Sequence, residues 1–303
     1  MRLIGGVREV VQEYDGFLLD LWGLTHNGIT PFVGVVDCLR HLRHAGKRIC
    51  FLSNSPHRIK RIAQDLSAMG ITPDLYDGIV SSGEEVFVLL EQSLDFGRVC
   101  FDFWAGSDSS TLEGLEDKIT RTHTLEKADF LLGSLIDTGR ANYLSDYMSI
   151  LDAARARDLP FVCANPDLSV IHGDRIHLCP GTLAQAYESM GGRVVMVGKP
   201  YGLVYDSATR LLDVPQERIL AAGDSLRTDI QGAGGYGLDS LLALTGLEGA
   251  DLRDYLAKHR RRKRGSHTTT AEYRAQEHVL EGLAHITQEA THKPSMVIHS
   301  FVW

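Results

Sequence analysis

Residues 17–54 read FLLDLWGLTHNGITPFVGVVDCLRHLRHAGKRICFLSN, and this stretch decides the fold class. Two apolar runs, residues 17–21 and 48–52, are each bounded by glycine or polar residues and predict short strands. Between them, residues 33–45 place apolar side chains at three-residue intervals and stop before Gly46, as is typical of a helix that ends at a glycine. The stretch therefore predicts a strand, a helix and a second strand in succession.

The same alternation continues towards both ends of the chain. A helix-like segment over residues 59–69 precedes an apolar run at 78–80, and further runs lie at 193–197, 219–222 and 241–244. Short runs that are apolar on both faces are typical of buried strands in a parallel sheet. We therefore predict an α/β fold whose core is a doubly wound, Rossmann-like parallel sheet.

The middle of the chain carries a separate set of strand and helix signals. Its apolar and helix-like segments are residues 99–103, 128–132, 143–157 and 161–164. We predict that residues 85–182 form an inserted α/β cap domain over the carboxyl edge of the sheet. The core is then built from residues 1–84 and 183–303, and an apolar tail after residue 294 adds a final strand.

The composition is that of a protein with a substantial core. The chain has 303 residues, 44% of them hydrophobic, and its 39 acidic against 31 basic residues give a formal charge of −8. This acidic balance argues against a nucleic-acid protein, whose affinity depends on a broad basic face. The basic run at 259–264 predicts a solvated loop, with a phosphate-rich or acidic partner as the alternative. No run of about 18 apolar residues predicts a membrane span.

The cysteines indicate the compartment. The five are odd in number and widely spaced, without a pairing or zinc-binding pattern: Cys38, Cys50, Cys100, Cys163 and Cys179. We expect buried, reduced thiols, which favours a reducing, cytoplasmic environment. The first residues include Glu9 and Glu13, and no export signal is predicted there.

Polar residues follow four of the predicted strands. Asp20 follows the first strand, and Ser53 and Asn54 follow the second. Lys199 and Asp224 follow two later strands. Since ligands in open α/β sheets bind at the carboxyl ends of the strands, these residues form one candidate site.

The residue types suit metal-assisted phosphoryl transfer. An aspartate can attack phosphorus when a cation offsets its repulsion from the phosphate oxygens. Mg²⁺ prefers oxygen ligands and is usually held by one or two carboxylates, for which Asp20 and Asp224 are the natural pair. Lys199 and Ser53 would bind the remaining phosphoryl oxygens. For a single strand-end aspartate, the alternative is a helix cap.

These motifs, in this order, resemble the haloacid dehalogenase-like superfamily. The resemblance is closest to its class IIA branch, which includes phosphatases of p-nitrophenyl phosphate, phosphoglycolate, pyridoxal phosphate, sugar phosphates and nucleotides. The branch-like segments, spread over nearly the whole chain, are Phe51-Leu52-Ser53-Asn54-Ser55, Ala164-Asn165-Pro166-Asp167, Val197-Gly198-Lys199-Pro200 and Ala222-Gly223-Asp224-Ser225. In this branch the cap is inserted between the second and third motifs, where the middle domain is predicted.

The resemblance implies a metal-binding set. Asp20 would be the nucleophile that forms an aspartyl-phosphate, and it would also bind Mg²⁺ together with Asp224 and the backbone carbonyl of Trp22. Asp229 would orient the motif lysine or a water on the metal. Ser225 would support this set, and helix capping is compatible with that role for both Ser225 and Asp229.

The resemblance also implies a substrate-binding set. Ser53 and the backbone of Asn54 would hold a phosphoryl oxygen. Lys199 would neutralise charge on both the phosphate and the nucleophile. Asn165 and Asp167 would lie in the cap and face the substrate, although for Asp167 a simple turn residue is the alternative.

Position 22 departs from the family pattern. Phosphatases of the family usually carry a second aspartate there, which protonates the leaving oxygen and then activates water. With Trp22, the backbone contact to the metal would survive, but losing a positioned acid typically removes about 10² to 10⁴ in rate, less when the leaving group is good. His26 is an alternative proton donor, and an exposed loop histidine is the other interpretation. The indole either packs under the cap or recognises substrate.

The predicted function is Mg²⁺-dependent hydrolysis of a small phosphate monoester, such as a sugar, nucleotide or cofactor phosphate, through Asp20. One alternative is a phosphate-ester-binding or regulatory protein with weak or no activity. Another is a phosphotransferase that passes the phosphoryl group to an alcohol. The expected partner is a small phosphorylated metabolite rather than nucleic acid or a membrane, and the composition leaves open whether the cap forms a homodimer.

Overall fold

The structure is a computed structural model that describes residues 1–93, 95–104, 110–136, 143–172, 175–259 and 271–303. It divides into two compact units. Unit 1 is built from two chain segments, Met1–Cys50 and Leu212–Trp303, and unit 2 is the continuous segment Phe51–Leu211.

The described strands, in chain order, are β1 Arg2–Ile4, β2 Gly16–Leu19, β3 Arg48–Ser53, β4 Gly78–Ser81, β5 Val99–Asp102, β6 Thr120–Thr122, β7 Phe130–Gly133, β8 Phe161–Cys163, β9 Ser169–His172, β10 Arg175–Leu178, β11 Val194–Met196, β12 Ile219–Gly223, β13 Asp239–Ala243 and β14 Met296–Ile298. The described α-helices are α1 Val35–His44, α2 Ile59–Ala68, α3 Ser82–Gln92, α4 Met148–Ala156, α5 Pro180–Ser189, α6 Gly202–Leu212, α7 Gln231–Tyr236, α8 Leu247–His259 and α9 Ala271–Ile286.

Unit 1 contains parallel strands in the order β1, β14, β13, β12 and β2. Every residue of β2 and of β12 is buried, which explains why both read as continuous apolar runs. Leu19 of β2 lies opposite Ala222 of β12, and the N–H of Asp20 donates to the carbonyl of Ala222 at 2.9 Å. The carboxyl ends of these two strands therefore lie side by side.

The helices of unit 1 bury one apolar face each. In α1 the buried residues are Val35, Cys38, Leu39 and Leu42, a spacing that places them on one side of the helix. The helices α8 and α9 contact each other, and residues from both join a cluster with β13 and β14 that contains Leu242, Leu252, Leu283 and Val297.

Unit 2 contains its own parallel sheet, in the order β11, β8, β7, β5 and β6, and the antiparallel pair β9 and β10. Alternate residues of β7 point to opposite faces. Leu131 packs in a cluster with α4 and α5, whereas Phe130 and Leu132 pack in a cluster with α3. Helices therefore cover both faces of this sheet.

The structure confirms the α/β prediction, with helices on parallel sheets and strands at most of the predicted apolar runs. The predicted strand at 193–197 is present as β11, but it pairs with β8 in the sheet of unit 2. Apolar runs predict that a strand exists but carry no information on which strands it pairs with. The predicted boundaries of the cap domain, at residues 85 and 182, stay a prediction. The apolar tail forms β14, as predicted.

Other sequence-based expectations have mixed outcomes. All five cysteines are free and buried, as predicted. Among the described residues, no helix has the length and apolar character needed to cross a membrane. Residues 260–270, which include most of the predicted basic loop, lie outside the described residues.

Candidate active site

Three buried carboxylates come together in unit 1. Asp20 follows β2, Asp224 follows β12, and Asp229 lies in the single π-helical turn Leu226–Ile230 that comes next. One carboxylate oxygen from each residue lies within 4.8 Å of the other two. The pairing of β2 with β12 explains this convergence, because it places the two strand ends next to each other. The metal ligands predicted from the sequence, Asp20 and Asp224, are thus brought together, and Asp229 joins them.

Two glycines make room for the Asp224 carboxylate. Gly23 has φ of +94°, and a Cβ at this position would lie 2.3 Å from Asp224 Cγ. A Cβ on Gly246 would lie 1.7 Å from Asp224 Oδ2. Both approaches are far closer than van der Waals contact, so any larger residue at either position would displace the carboxylate or the loop that faces it.

The loop that follows Asp20 is held by a dense set of hydrogen bonds. Thr25 Oγ1 donates to the carbonyl of Asp20 at 2.6 Å, and the N–H of Thr25 donates to the carbonyl of Leu21 at 2.9 Å. From the loop after β13, Thr245 Oγ1 donates to the carbonyl of Gly23 at 2.5 Å. These bonds fix the backbone on both sides of position 22.

The Asp229 carboxylate is held by the backbone of its own turn. Its Oδ2 accepts a hydrogen bond from the N–H of Ser225 at 3.1 Å. The Ser225 hydroxyl makes no capping hydrogen bond to this turn, so the residue contributes through its backbone. A Cβ on Gly223 would overlap the Asp229 carboxyl, which is a further close approach that only glycine permits.

A fourth acid, Glu248, lies beside this turn and was missed by the sequence analysis. It accepts a hydrogen bond from the N–H of Leu226 at 2.9 Å. Burial raises the pKa of Glu248; the bond from Leu226 opposes that rise, and the charges of Asp251 and Asp229 add to it. No sequence motif points to Glu248, because its position beside the Leu226–Ile230 turn depends on how the chain folds after β13.

Trp22 and His26 form an aromatic pair in the same loop. Their rings are edge-to-face, with centroids 5.9 Å apart and planes at 70°. The His26 side chain is buried, and its Nδ1 accepts a hydrogen bond from the N–H of Gly28 at 2.9 Å. The alternative of an exposed loop histidine is therefore wrong, and a neutral His26 carries its hydrogen on Nε2. Trp22, by contrast, is 39% exposed.

The second group of predicted site residues lies in unit 2. Ser53, Asn54 and Lys199 are all buried. Asn54 Nδ2 donates to the carbonyl of Lys199 at 3.0 Å, and Asn54 Oδ1 accepts from the N–H of Lys199 at 2.6 Å. The Asn54 side chain therefore joins the loop after β3 to the Gly-Lys-Pro segment.

The residues predicted in the cap are joined to the same network. Asn54 Nδ2 also donates to Asp167 Oδ1 at 2.9 Å, and the N–H of Asp167 donates to Asn165 Oδ1 at 3.1 Å. Both polar atoms of the Asn54 side chain are thus engaged within the protein. The substrate-facing role of Asn165 and Asp167 stays a prediction, and the structure adds a positioning role for Asp167.

Three further residues that support this loop, Ser82, Arg58 and Glu84, were missed by the sequence analysis. Ser82 Oγ lies 3.4 Å from Asn54 Oδ1. Arg58 donates to both carboxylate oxygens of Glu84, at 2.7 and 3.0 Å, and its guanidinium lies over the ring of Phe87. The signal that could have found Glu84 is its place at the start of α3, where the Ser81 side chain caps the helix by accepting from the N–H of Glu84.

Two family models match the chain on either side of its middle. A haloacid dehalogenase-like hydrolase model matches residues 17–116, and a second model of the same kind matches residues 196–286. Together they include Asp20, Ser53, Lys199 and Asp224. The chain belongs to the haloacid dehalogenase-like hydrolases. The resemblance that the motifs suggested is confirmed.

Individual relatives of this haloacid dehalogenase-like hydrolase support the same assignment. The sugar-phosphatase AraL of Bacillus subtilis (strain 168) is 26% identical over 235 residues, which cover 76% of this chain and 83% of the relative. A haloacid dehalogenase-like hydrolase from Brucella suis 1330 matches with a TM-score of 0.79 at 27% identity and covers 99% of this chain and 100% of its own. A glycerol phosphate phosphatase of Mycobacterium tuberculosis, solved in complex with magnesium, matches with a TM-score of 0.62 at 27% identity and covers 82% and 72%.

Proposed function

We propose that this hydrolase cleaves a small-molecule phosphate monoester with the help of Mg²⁺ and the nucleophile Asp20. The observation that carries the proposal is the convergence of Asp20, Asp224 and Asp229, all buried, with carboxylate oxygens within 4.8 Å of one another. Buried carboxylates at this distance repel one another, and a divalent cation offsets that repulsion. The named relatives, a sugar phosphatase and a glycerol phosphate phosphatase, support the same class of reaction.

The donor set fits magnesium. Its side-chain donors are carboxylate oxygens, the hard ligands that Mg²⁺ prefers, and the glycines at 23 and 246 leave space for them. Asp20, Asp224 and the backbone carbonyl of Trp22 would hold the ion. When bound, a magnesium ion supplies positive charge that screens the nucleophile from the phosphate oxygens.

The chemistry would proceed in two displacements at phosphorus. In the first, an Asp20 carboxylate oxygen bonds to phosphorus while the ester P–O bond breaks, and the departing oxygen takes up a proton. In the second, water attacks the phosphorus of the aspartyl-phosphate, loses a proton, and releases inorganic phosphate as the Asp20 carboxylate is restored. The overall reaction consumes one water and yields an alcohol and phosphate.

Ser53 and Lys199 would hold the phosphoryl group during both steps. The Ser53 hydroxyl and the backbone of Asn54 would donate to one phosphoryl oxygen, and the Lys199 ammonium would neutralise charge that spreads over the others. Burial of both side chains strengthens such interactions because the local dielectric is low. The Asn54 bonds to Lys199 would preserve the spacing between these two donors.

Trp22 favours a second candidate function. Without an acid at position 22, the enzyme would cleave esters with poor leaving groups about 10² to 10⁴ times more slowly than a site that has such an acid. A chain that keeps Lys199, Ser53 and the carboxylates could then act as a phosphate-ester-binding protein without turnover. His26 is the alternative proton donor of the hydrolase proposal, and to transfer a proton it would have to become doubly protonated and give up the hydrogen bond that its Nδ1 accepts from Gly28.

The substrate would be a small phosphorylated metabolite, and the sugar and glycerol phosphates of the named relatives belong in the first panel. The buried free cysteines support a reducing, cytoplasmic environment. A homodimer stays one alternative for the assembly.

The test is phosphate release from p-nitrophenyl phosphate and from sugar, glycerol, nucleotide and cofactor monophosphates, with and without Mg²⁺. We expect release that needs Mg²⁺ and is abolished by Asp20→Asn. Equal release from Asp20→Asn would overturn the assigned nucleophile. No release from the wild type, combined with thermal stabilisation by a monophosphate, would favour the binding protein instead.

A further inference from the structure

The backbone between Asp224 and Asp229 determines how these two carboxylates of the cluster face each other. The π-helical turn Leu226–Ile230 begins two residues after Asp224 and contains Asp229. Turns of this kind are rare and occur frequently at functional sites. The first N–H groups of a helical turn have no acceptor within the turn, so acceptors elsewhere must hold them. The groups that accept these N–H bonds therefore set the geometry of the cluster.

Two carboxylates accept the N–H groups at the start of this turn. Asp229 Oδ2 accepts from the N–H of Ser225 at 3.1 Å, and Glu248 Oε1 accepts from the N–H of Leu226 at 2.9 Å. Successive backbone N–H groups attract carboxylates. Because Glu248 already occupies the Leu226 donor, this donor does not draw the Asp229 carboxylate away from the cluster.

The helix that carries Glu248 also packs on the Leu226 side chain. Glu248 lies in the first turn of α8, and Leu252 follows it by four residues. Leu252 belongs to the apolar cluster against which the Leu226 side chain packs. Residues four apart lie on the same face of a helix. One face of α8 therefore holds Leu226 twice, through its backbone N–H and through its side chain.

The chain that leads into α8 contacts the cluster as well. Thr245 Oγ1 donates to the carbonyl of Gly23 at 2.5 Å, in the loop after β2. A Cβ on Gly246 would lie 1.7 Å from Asp224 Oδ2. The bond from Leu226 to Glu248 thus belongs to one continuous segment, residues 245–248, that contacts both strand-end loops of the cluster.

The negative charge of Glu248 does not by itself explain this position. Burial raises the pKa of the Glu248 carboxyl; the bond from Leu226 opposes that rise, and the charges of Asp251 and Asp229 add to it. A further carboxylate beside three others is electrostatically unfavourable in the metal-free protein. The hydrogen bond to Leu226 offsets part of this cost, and it requires only an acceptor oxygen at this place.

We propose that Glu248 is a positioning residue for the metal site, which holds Asp224 and Asp229 in place by accepting the Leu226 N–H and so raises the affinity for Mg²⁺. The proposal rests on the proposed function and adds a residue outside the family motifs to the same site. Glu248 acts through the backbone of Leu226, without touching the ion or the substrate. Partners that hold metal ligands in place typically contribute 10- to 100-fold in metal affinity.

The test is isothermal titration calorimetry of the full chain with Mg²⁺, on the wild type and three variants of Glu248. Glu248→Gln keeps an acceptor oxygen and loses the charge, whereas Glu248→Asp keeps the charge and draws the acceptor back by one methylene. Glu248→Met loses both. We expect Kd for Mg²⁺ to rise about 10- to 100-fold in Glu248→Asp and Glu248→Met, and much less in Glu248→Gln.

Asp251→Asn is the matched control. Asp251 is exposed on the same helix and its charge acts on Glu248, so this variant removes a nearby charge without changing the Leu226 bond. We expect its Kd for Mg²⁺ to equal that of the wild type. Loss of affinity in Glu248→Gln and Glu248→Met, but not in Glu248→Asp, would show that the charge matters and would overturn the proposal. Unchanged Kd values in all three Glu248 variants, with a lower Tm in EDTA, would reduce Glu248 to a fold-stabilising residue and overturn it too.

A kinetic measurement keeps failure of this proposal distinct from failure of the proposed function. Glu248→Met should need about 10- to 100-fold more Mg²⁺ for half-maximal phosphate release, while KM for the ester at saturating Mg²⁺ should not change, since Ser53 and Lys199 are intact. Weaker Mg²⁺ binding by Glu248→Met and Glu248→Asp, in a protein that releases no phosphate, would support the positioning role and overturn hydrolysis. Phosphate release that requires Asp20, with the same Mg²⁺ dependence in the wild type and Glu248→Met, would support hydrolysis and overturn the positioning role.

Discussion

The side-chain amide of Asn54 donates a hydrogen bond to Asp167 at 2.9 Å, and these two residues are among those that the family motifs assign to substrate. The same amide nitrogen donates to the carbonyl of Lys199, whose N–H bonds the Asn54 carbonyl oxygen. One buried amide thus joins three segments that lie far apart in the sequence. We expect this amide to hold Lys199 and Asp167 in position, while the proposed substrate would contact the backbone of Asn54.

Asn54→Asp tests this positioning function. The change puts a second carboxylate beside Asp167 and removes the donor to the Lys199 carbonyl. We expect the free energy of unfolding to fall by about 2 kcal/mol, measured by urea denaturation, and phosphate release to fall about 100-fold. Asn27→Asp is the matched control, because the hydrogen bonds of the Asn27 side chain among the described residues are accepted by its oxygen, which an aspartate keeps. Equal effects of the two variants would contradict the assignment.

Gly246→Ala tests the packing around the Asp224 carboxylate. A methyl group there would lie 1.7 Å from Asp224 Oδ2, so the carboxylate must move. A displacement of about 1 Å in a catalytic group costs on the order of 100-fold in rate, and we expect a matching rise in the Mg²⁺ concentration needed for activity. Gly235→Ala is the control, since in the described part of the chain no atom outside its own stretch of helix lies within 4 Å of an added Cβ. A Gly246→Ala enzyme with wild-type Mg²⁺ dependence would show that packing of Gly246 does not position the Asp224 carboxylate.

Asp224→Asn tests whether the carboxylate cluster strains the metal-free protein. Removing one of three neighbouring negative charges should raise the free energy of unfolding in EDTA by about 1 kcal/mol. With Mg²⁺ the order should reverse, because the wild type gains stability from binding the ion and the variant gains little. Thermal unfolding of both proteins with and without Mg²⁺ measures the four values. Identical Mg²⁺ stabilisation of the two proteins would place the ion elsewhere.

Arg58→Met tests the support of the loop after β3. Arg58 bonds both oxygens of Glu84 and also donates to the carbonyl of Glu113 at 2.6 Å, with only a fifth of the side chain exposed. We expect the free energy of unfolding to fall by about 2 kcal/mol and KM for phosphate esters to rise. Arg61→Met is the control: its ion pair with Asp65 is half exposed and should contribute less than about 1 kcal/mol.

Asp15 should make the stability of the protein sensitive to acid. Hydrogen bonds from Arg218 and Lys47 lower the pKa of Asp15 from its ordinary 3.8 to about 2. Because the folded-state pKa is depressed, the stabilisation is present above pH 4 and is lost as the pH falls from about 4 to about 2. Asp15 is partly exposed, so we expect at most about 1 kcal/mol. The difference in unfolding free energy between wild type and Asp15→Asn should shrink over that window, and a constant difference would refute the assignment.

The sequence predicted the parts of this protein that depend on local pattern. Apolar runs followed by a polar residue placed Asp20 and Asp224 at strand ends, and the structure brings them together because β2 pairs with β12. The helix predicted at 33–45 is α1, and its apolar spacing gives the buried face. The order of the four strand-end motifs along the chain was enough to identify the family, since each motif is short and local in the sequence.

Other features depend on tertiary contacts that no local pattern reports. β11 has the composition of any buried strand, and only its hydrogen bonds to β8 place it in the sheet of unit 2. Gly246 packs against Asp224, and Glu248 bonds the backbone of Leu226. Both contacts exist because the chain after β13 folds back to the carboxylate cluster. The Asn54 side chain matches the motif whether it faces substrate or protein, so its partners could not be predicted.

The pairing of β1 with β14 determines when unit 1 can be completed during synthesis. Residues 51–211 leave the ribosome as one continuous segment and contain every strand of their own five-stranded sheet. β1 is translated before these residues but pairs with Met296–Ile298, which are translated after them. A nascent chain stalled before residue 296 would therefore carry a complete sheet in unit 2 and a β1 strand without its neighbour, so that translation itself sets the order in which the two units mature.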